Sequence, residues 1–64
     1  MNTADDLKAE IKRLNSQATA LKMDLHDLAE DLPTGWERIP EIARKTHETY
    51  ERLAAARARL EQAG

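Results

Sequence analysis

Acidic side chains and one histidine lie close together in the middle of this 64-residue chain. Asp24, Asp27, Glu30 and Asp31 surround His26, and carboxylate and imidazole groups are common ligands of divalent metals. On a helix, residues two apart, such as Asp24 and His26, point to different faces, which disfavours shared coordination. We therefore expect neither a metal nor another cofactor, and His26 is the residue to test if a metal is found.

The same acidic side chains suit contact with a basic partner. The leucine spacing described below predicts a helix that ends near Asp31, and a carboxylate near a helix C-terminus is unfavourable by about 0.3–1 kcal/mol. Residues 24–38 hold five acidic side chains and one basic side chain. Stability alone does not favour this arrangement, so we expect a partner protein or a second copy of the chain to supply the positive charge.

We predict a partner-binding surface around the end of this helix. Trp36 comes soon after it, and tryptophan often dominates the energy of an interface. Its alternative role is to pack on Leu32 and close the end of a helical bundle. Met23 should face outward, and exposed methionine adapts well to contact surfaces. The predicted surface consists of Met23, Asp24, His26, Asp27, Glu30, Asp31, Trp36 and Glu37.

Catalysis has little support in the sequence. The chain has no cysteine and no glycine-rich phosphate loop, and two helices would not bring a serine, a histidine and an acid together. The paired carboxylates belong to a solvated helix face, without the burial that acid–base catalysis uses. We expect a protein that is not an enzyme.

The overall charge argues against nucleic-acid binding as the main function. The net charge is −2, and the basic residues are interleaved with acidic ones instead of forming one basic surface. The absence of cysteine fits a reducing compartment, and neither a signal peptide nor a membrane helix is expected. We therefore expect a cytoplasmic protein.

Leucine spacing in the first half of the chain predicts one long helix, from about residue 3 to residue 31. Thr3 and Asp6 form a helix start signal. No glycine or proline interrupts the segment. Apolar residues recur in alternating steps of four and three, as in a coiled-coil seam: Leu7, Ile11, Leu14, Ala18, Leu21, Leu25, Leu28 and Leu32.

A turn at residues 32–35 should separate this helix from a second one over about residues 36–62. Pro33 disfavours helical geometry at Leu32, and Gly35 relaxes the backbone. Thr34 and Glu37 have the spacing of a capping box. Because Pro40 lacks an amide hydrogen, we expect an irregular turn over residues 36–39, with Pro40 as the alternative start of the regular helix.

The second helix carries a thinner apolar stripe: Ile39, Ala43, Thr46, Tyr50, Leu53, Arg57 and Leu60. One domain, an all-α antiparallel helical hairpin over residues 1–64, would leave one side of each stripe uncovered. Two hairpins paired as an antiparallel four-helix bundle would cover it. With the turns at opposite ends, the acidic turn of one copy would lie beside Arg52, Arg57 and Arg59 of the other. We therefore expect a homodimer.

The run ATALKMDLHDLAEDLPTGWERIPEIARKTHETYERLAAARARL resembles the Rop-like family of small proteins encoded in bacterial nitrogen-fixation gene clusters, most specifically in KMDLHDLAEDLP followed by Trp36 and Glu37. The resemblance covers about residues 7–60. It implies a hairpin dimer similar to the plasmid regulator Rop and an accessory role connected with nitrogenase or its assembly proteins. A Rop-like RNA-binding regulator and a small metal-binding protein of cofactor assembly are the alternatives.

Overall fold

Two long helices account for nearly all of the computed structural model, which describes residues 4–63. Helix α1 spans Ala4–Asp31, a short 3-10 turn spans Trp36–Arg38, and helix α2 spans Ile39–Ala63. No strand occurs within residues 4–63. The helices fold back on each other as a rod with extents of 46 × 16 × 15 Å. The predicted all-α helical hairpin is confirmed.

Helix α1 is long because nothing in its sequence stops it before the turn. Its 28 residues contain neither glycine nor proline, and Asp5 and Asp6 in its first turn interact favourably with the positive end of the helix dipole. The proposed start signal at Thr3 lies outside the described residues. At about 1.5 Å per residue, this helix alone accounts for most of the length of the rod.

Gly35 makes the chain reversal possible. Its φ of 80° lies in the left-handed region, where a side chain is strained. A Cβ atom added there would also lie 3.2 Å from the Cδ1 atom of Leu28. The Thr34 amide donates to the Asp31 carbonyl at 3.0 Å, and the Arg38 amide donates to the Gly35 carbonyl at 2.9 Å. The reversal is therefore held by backbone hydrogen bonds around one glycine.

The expected capping box at Thr34 and Glu37 does not form. Gly35 is the residue that precedes the 3-10 turn, and no side chain caps that turn. The 3-10 turn occupies the place where an irregular segment was expected, and regular α-helix begins at Ile39, three residues beyond residue 36. Pro40 then stands in the first turn of α2, where its missing amide hydrogen is not needed.

The core is a single apolar layer between the two helices. Leu14, Ala18, Leu53 and Ala56 form its central cluster, and Ile11 packs against them. All buried side chains of the described residues are apolar: Leu7, Leu14, Ala18, Leu28, Ile42, Leu53 and Ala56. The leucine stripe of α1 supplies the larger share of this layer.

Only some residues of the apolar stripe predicted for α2 are buried. Ile42 and Ala56, which flank the predicted stripe, are buried, whereas Ile39, Ala43 and Tyr50 are exposed. The hydroxyl of the half-buried Thr46 donates to the Ile42 carbonyl at 2.8 Å, so its polar group is satisfied inside α2. Helix α2 is therefore rotated so that the row through Ile42 and Ala56 faces α1. None of the helices in the described part is long and apolar enough to cross a membrane.

Candidate partner-binding site

The last three turns of α1 and the 3-10 turn carry the predicted partner-binding residues. Trp36 is 62% exposed and Met23 is 56% exposed, so neither belongs to the core of the hairpin. All eight predicted residues lie at the surface: Met23, Asp24, His26, Asp27, Glu30, Asp31, Trp36 and Glu37.

The three aspartates near the end of α1 lack cationic partners among residues 4–63. No basic residue occurs in the last turn of this helix. Within residues 4–63, Asp24, Asp27 and Asp31 make no ion pair and no side-chain hydrogen bond. Their charge therefore adds to the negative end of the helix dipole without compensation.

The basic side chains at the same end of α2 are engaged within their own helix. Lys45 Nζ lies 3.1 Å from Glu41 Oε1, and Arg44 Nη1 lies 3.2 Å from Glu48 Oε1. The hydrogen bond from Lys45 and its positive charge lower the pKa of the Glu41 carboxyl. These pairs follow the i, i+4 spacing of a helix surface. Lys45 and Arg44 thus form ion pairs with glutamates of α2 and not with the acidic residues of α1.

His26 is paired with one neighbouring carboxylate. Its Nε2 atom lies 3.3 Å from Glu30 Oε1, one helical turn away, and both side chains are well exposed. Among residues 4–63, no three histidine, aspartate or glutamate side chains are arranged to hold a metal ion. The geometry here is that of a surface contact between an imidazole and a carboxylate.

Leu28 divides the surface of α1 near the turn into two sides. This residue is buried, and its Cδ1 atom lies beside Gly35 of the turn. Residues four before and three after a helical residue lie on one side of it, and residues three before and four after lie on the other. Asp24 and Asp31 therefore lie on one side of Leu28, whereas Leu25 and Leu32 lie on the other.

The acidic side of Leu28 forms a continuous surface. Asp27 directly precedes Leu28 and lies about 100° around the helix on the same side as Asp24 and Asp31, with Glu30 beyond it. We call these four residues, Asp24, Asp27, Glu30 and Asp31, the acidic face. It points away from both the core and the side that carries Leu25.

Exposed apolar residues lie on the opposite side. Leu25 is 37% exposed, Leu32 40%, Ile39 38% and Tyr50 43%, and Ala43 between the last two is also exposed. We call these five residues the open apolar face. Sequence periodicity predicted that one side of the hairpin is uncovered but could not say which, because that depends on the rotation of α2 about its axis.

A hydrogen bond shows that these rows of α1 and α2 belong to the same side of the hairpin. Arg57 Nη2 donates to Asn15 Oδ1 at 3.2 Å. Arg57 follows the buried Leu53 by four residues and shares a row with Tyr50, which precedes Leu53 by three. Asn15 directly follows the buried Leu14 and lies on the same side of α1 as Leu25. Both helices therefore contribute to one open apolar face.

Trp36 stands at the turn end of the open apolar face. It lies three residues before Ile39, and residues three apart in a 3-10 turn are aligned. With most of its surface exposed, it does not close the end of a single hairpin. The structure thus separates two groups that the sequence treats as one: the acidic residues on one side, and Trp36 near the other.

Known proteins resemble this chain over nearly the full length of the hairpin. A family model described as Rop-like matches residues 2–64. A UPF0437 protein of Azorhizobium caulinodans is 47% identical over 62 residues, which cover 97% of this chain and 90% of that protein. A UPF0437 protein of Frankia alni, in the nifX-nifW intergenic region, is 54% identical over 44 residues, which cover 69% of this chain and 54% of that protein. A structure solved by NMR has 60% sequence identity and a TM-score of 0.84, and it covers 100% of this chain and 94% of that one.

Proposed function

Because this chain belongs to the Rop-like family found in nitrogen-fixation gene contexts, as its sequence indicated, we propose that it is a non-enzymatic accessory protein of nitrogen fixation. In this proposal, it acts in the cytoplasm and binds a nitrogenase component or a nitrogenase assembly protein. The acidic face makes the main contact, and Met23, His26, Trp36 and Glu37 contribute around it. The position of the Frankia relative between two nif genes supports the choice of partner.

The observation that carries this proposal is the uncompensated charge at the end of α1. Asp24, Asp27 and Asp31 are exposed and lack cationic partners within residues 4–63. A basic surface docked there would remove the repulsion between these carboxylates and the helix end. Complementary charge of this kind also raises the rate of encounter and selects the partner.

We further propose that the chain acts as a homodimer in the form of an antiparallel four-helix bundle. The exposed leucines and the one-layer core support this, since a single hairpin of this size buries little apolar surface. Turns at opposite ends keep the two acidic faces apart, whereas turns at the same end would bring like charges together. The expected pairing of the acidic turn with Arg52, Arg57 and Arg59 of the other copy gains no support, because the acidic face points away from the open apolar face.

The alternative of an RNA-binding regulator has less support. Phosphate contacts need basic side chains that are free to bind. Lys45 and Arg44 are already paired with Glu41 and Glu48 on α2. For the alternative of a small metal-binding protein, His26 is the residue that a metal-binding assay should test by replacement.

Affinity capture from cells growing on dinitrogen tests the proposal. The tagged native protein is compared with a variant in which the acidic face is neutralised: Asp24→Asn, Asp27→Asn, Glu30→Gln and Asp31→Asn. A matched control carries the same change in charge away from the turn: Asp5→Asn, Glu10→Gln, Glu51→Gln and Glu61→Gln. We expect the native protein and the control to retain a nitrogenase component or assembly protein, and the acidic-face variant to lose it. Equal retention by all three proteins, or by none, would contradict the proposal.

A further inference from the structure

A second charged surface lies on the same side of the hairpin as the acidic face. It consists of three exposed arginines, Arg13 on α1 and Arg52 and Arg59 on α2, and we call it the arginine patch. We infer that the arginine patch binds an acidic helix of the partner protein, so that the partner is held at two points of opposite charge. This inference rests on the proposed function, to which it adds a second contact.

The position of the patch on α2 follows from the buried residues. Arg52 precedes the buried Ala56 by four residues and Arg59 follows it by three, so both arginines lie on one edge of α2. Arg57, whose guanidinium group donates to Asn15, marks the other edge. Arg52 and Arg59 therefore lie on the side of the hairpin opposite the open apolar face.

Arg13 lies on the matching edge of α1. It directly precedes the buried Leu14. Two heptads later, Asp27 stands in the same relation to the buried Leu28, so Arg13 and the acidic face share one side of α1. The distance between Arg13 and Asp27 along the helix is about 21 Å. Leu14 packs in the same core cluster as Ala56, which brings the arginines of the two helices to the same end of the rod.

The charge of this side changes sign along its length. Among residues 4–63, the three arginines of the patch make no ion pair and no side-chain hydrogen bond. Asp6 and Glu10, beside the buried Leu7, are the acidic residues of α1 on this side of the same half, and the arginines outnumber them. The side is therefore negative near the turn and positive near the chain ends.

The spacing of the patch fits a helix as its ligand. Arg52 and Arg59 are one heptad apart, which is about 10.5 Å along α2. Carboxylates one heptad apart on a partner helix recur at the same distance, as in the charged pairs that flank a coiled-coil seam. Side chains on one face of an extended strand recur about every 7 Å and do not match this distance. The partner therefore presents a helix with acidic residues one heptad apart.

A protein partner fits this side better than nucleic acid or a second copy of the chain. A phosphate backbone lying along the side would meet the acidic face, which repels it. A stable dimer interface has an apolar core, whereas the row of α1 nearest α2 on this side is polar: Glu10, Gln17, Asp24 and Asp31. Contacts made by charge also fix the orientation of the partner, because a reversed partner would bring like charges together.

Two synthetic helical peptides measure this specificity by fluorescence anisotropy with the full chain. Both carry two lysines one heptad apart, for the acidic face. The first peptide also carries two glutamates one heptad apart, centred two heptads from the lysines, and the second carries glutamines in their place. At low salt, the native chain should bind the first peptide about fivefold more tightly, because each exposed charge pair contributes a factor of about 1.5–5. Added salt should remove this preference.

Two variants with the same change in charge separate the arginine patch from general electrostatics. The arginine variant carries Arg13→Gln, Arg52→Gln and Arg59→Gln, and it should bind both peptides equally. The control variant carries Lys8→Gln, Lys12→Gln and Lys22→Gln, away from this side of α1, and it should keep the preference of the native chain. Circular dichroism checks that both variants remain helical.

The inference is overturned if the native chain does not distinguish the two peptides, or if the arginine variant still does. It is also overturned if the arginine variant loses self-association in sedimentation equilibrium, because the ligand would then be a second copy. Tight binding of a short RNA duplex by the native chain, lost in the arginine variant, would overturn it by making phosphate the ligand.

The capture experiment is independent of these peptides. Capture of a nitrogenase component by a chain that does not distinguish the peptides would contradict the arginine patch as a binding surface and leave the proposed function standing. A clear preference for the glutamate peptide with no capture would contradict the proposed partner and leave the patch standing.

Discussion

Arg57 on α2 and Asn15 on α1, 42 residues apart in sequence, share a hydrogen bond of 3.2 Å between Nη2 and Oδ1. This contact lies beside the central core cluster and links the two helices across the open side of the hairpin. It gives the arginine a partner at a position where a polar side chain interrupts the apolar stripe.

We expect the Arg57–Asn15 contact to make a small but measurable contribution to stability. Because the pair is exposed, its coupling energy should be about 0.5 kcal/mol, as for exposed surface pairs and below the value of a buried charged hydrogen bond. Urea unfolding of Arg57→Ala, Asn15→Ala and the double variant measures this energy as a double-mutant cycle. Additive effects of the two replacements would show that the contact does not stabilise the hairpin.

Replacing Gly35 should destabilise the turn. Gly35→Ala places a Cβ atom in the left-handed region and close to Leu28, so we expect a loss of about 1–2 kcal/mol in the free energy of unfolding. Asparagine tolerates this backbone region better than alanine does, so Gly35→Asn should lose less. Thermal unfolding followed by circular dichroism ranks the three proteins, and a stability of Gly35→Ala equal to that of the native chain would be inconsistent with the conformation described.

Removing negative charge from the end of α1 should stabilise the protein while weakening docking. Asp31→Lys replaces an unfavourable charge at the helix C-terminus with a favourable one, for an expected gain of about 0.3–1 kcal/mol at low salt. The gain should shrink as salt is added, because exposed charges are screened. Glu51→Lys, in the middle of α2, is the control for the change in net charge. A loss of stability in Asp31→Lys would show that Asp31 has a favourable partner.

The Glu41–Lys45 pair predicts a pH dependence. Because its pKa is lower in the folded chain than its ordinary value of 4.5, Glu41 adds stability above that value and loses it as the pH falls through the folded pKa. The free energies of unfolding of the native chain and of Glu41→Gln should therefore differ slightly at neutral pH, and the difference should shrink as the pH falls through the folded pKa of Glu41. A difference that grows toward low pH would have the wrong sign.

The orientation of the proposed dimer can be tested with one cysteine. If the turns lie at opposite ends, a twofold axis crosses the rod near its middle and sets α2 against α2 of the second copy, running the other way. Ala54 lies in the middle part of α2, beside the row of Tyr50 and Arg57. Ala54→Cys should then form a disulfide-linked dimer under mild oxidation, as thiols brought within about 4 Å between Cβ atoms do.

Ala43→Cys, nearer the turn, is the control for this experiment. In the same arrangement, its counterpart lies near the other end of the rod, so it should not cross-link to itself. Cross-linking of Ala43→Cys with none at Ala54→Cys would exclude the arrangement with turns at opposite ends.

Much of the fold could be predicted from the sequence because α1 carries a strong, uninterrupted leucine repeat. The buried side of α2 could not, since its apolar residues are few and small. Ile39 and Ile42 suit adjacent rows equally well, and packing against α1 decides between them. The cap at the turn was also missed, because the left-handed backbone of Gly35 replaces the side-chain hydrogen bond that Thr34 would have supplied.

The candidate site was predictable in content but not in arrangement. The acidic residues and Trp36 are visible in the sequence as an unusual cluster. Their separation onto different sides of the hairpin depends on how α1 is rotated about its axis relative to α2. This rotation is set by tertiary packing. Sequence spacing alone cannot assign these residues to sides of the hairpin until at least one buried residue is known.

The helical segment around Leu28 combines a buried core residue with exposed carboxylates. The Leu28 side chain packs in the core and touches the position where Gly35 must stay bare, so it tolerates little change. Asp24 and Asp31 beside it make no ion pair among residues 4–63, so their replacement removes no ion pair from the hairpin. The sequence of this surface can therefore change, residue by residue, while the fold stays the same.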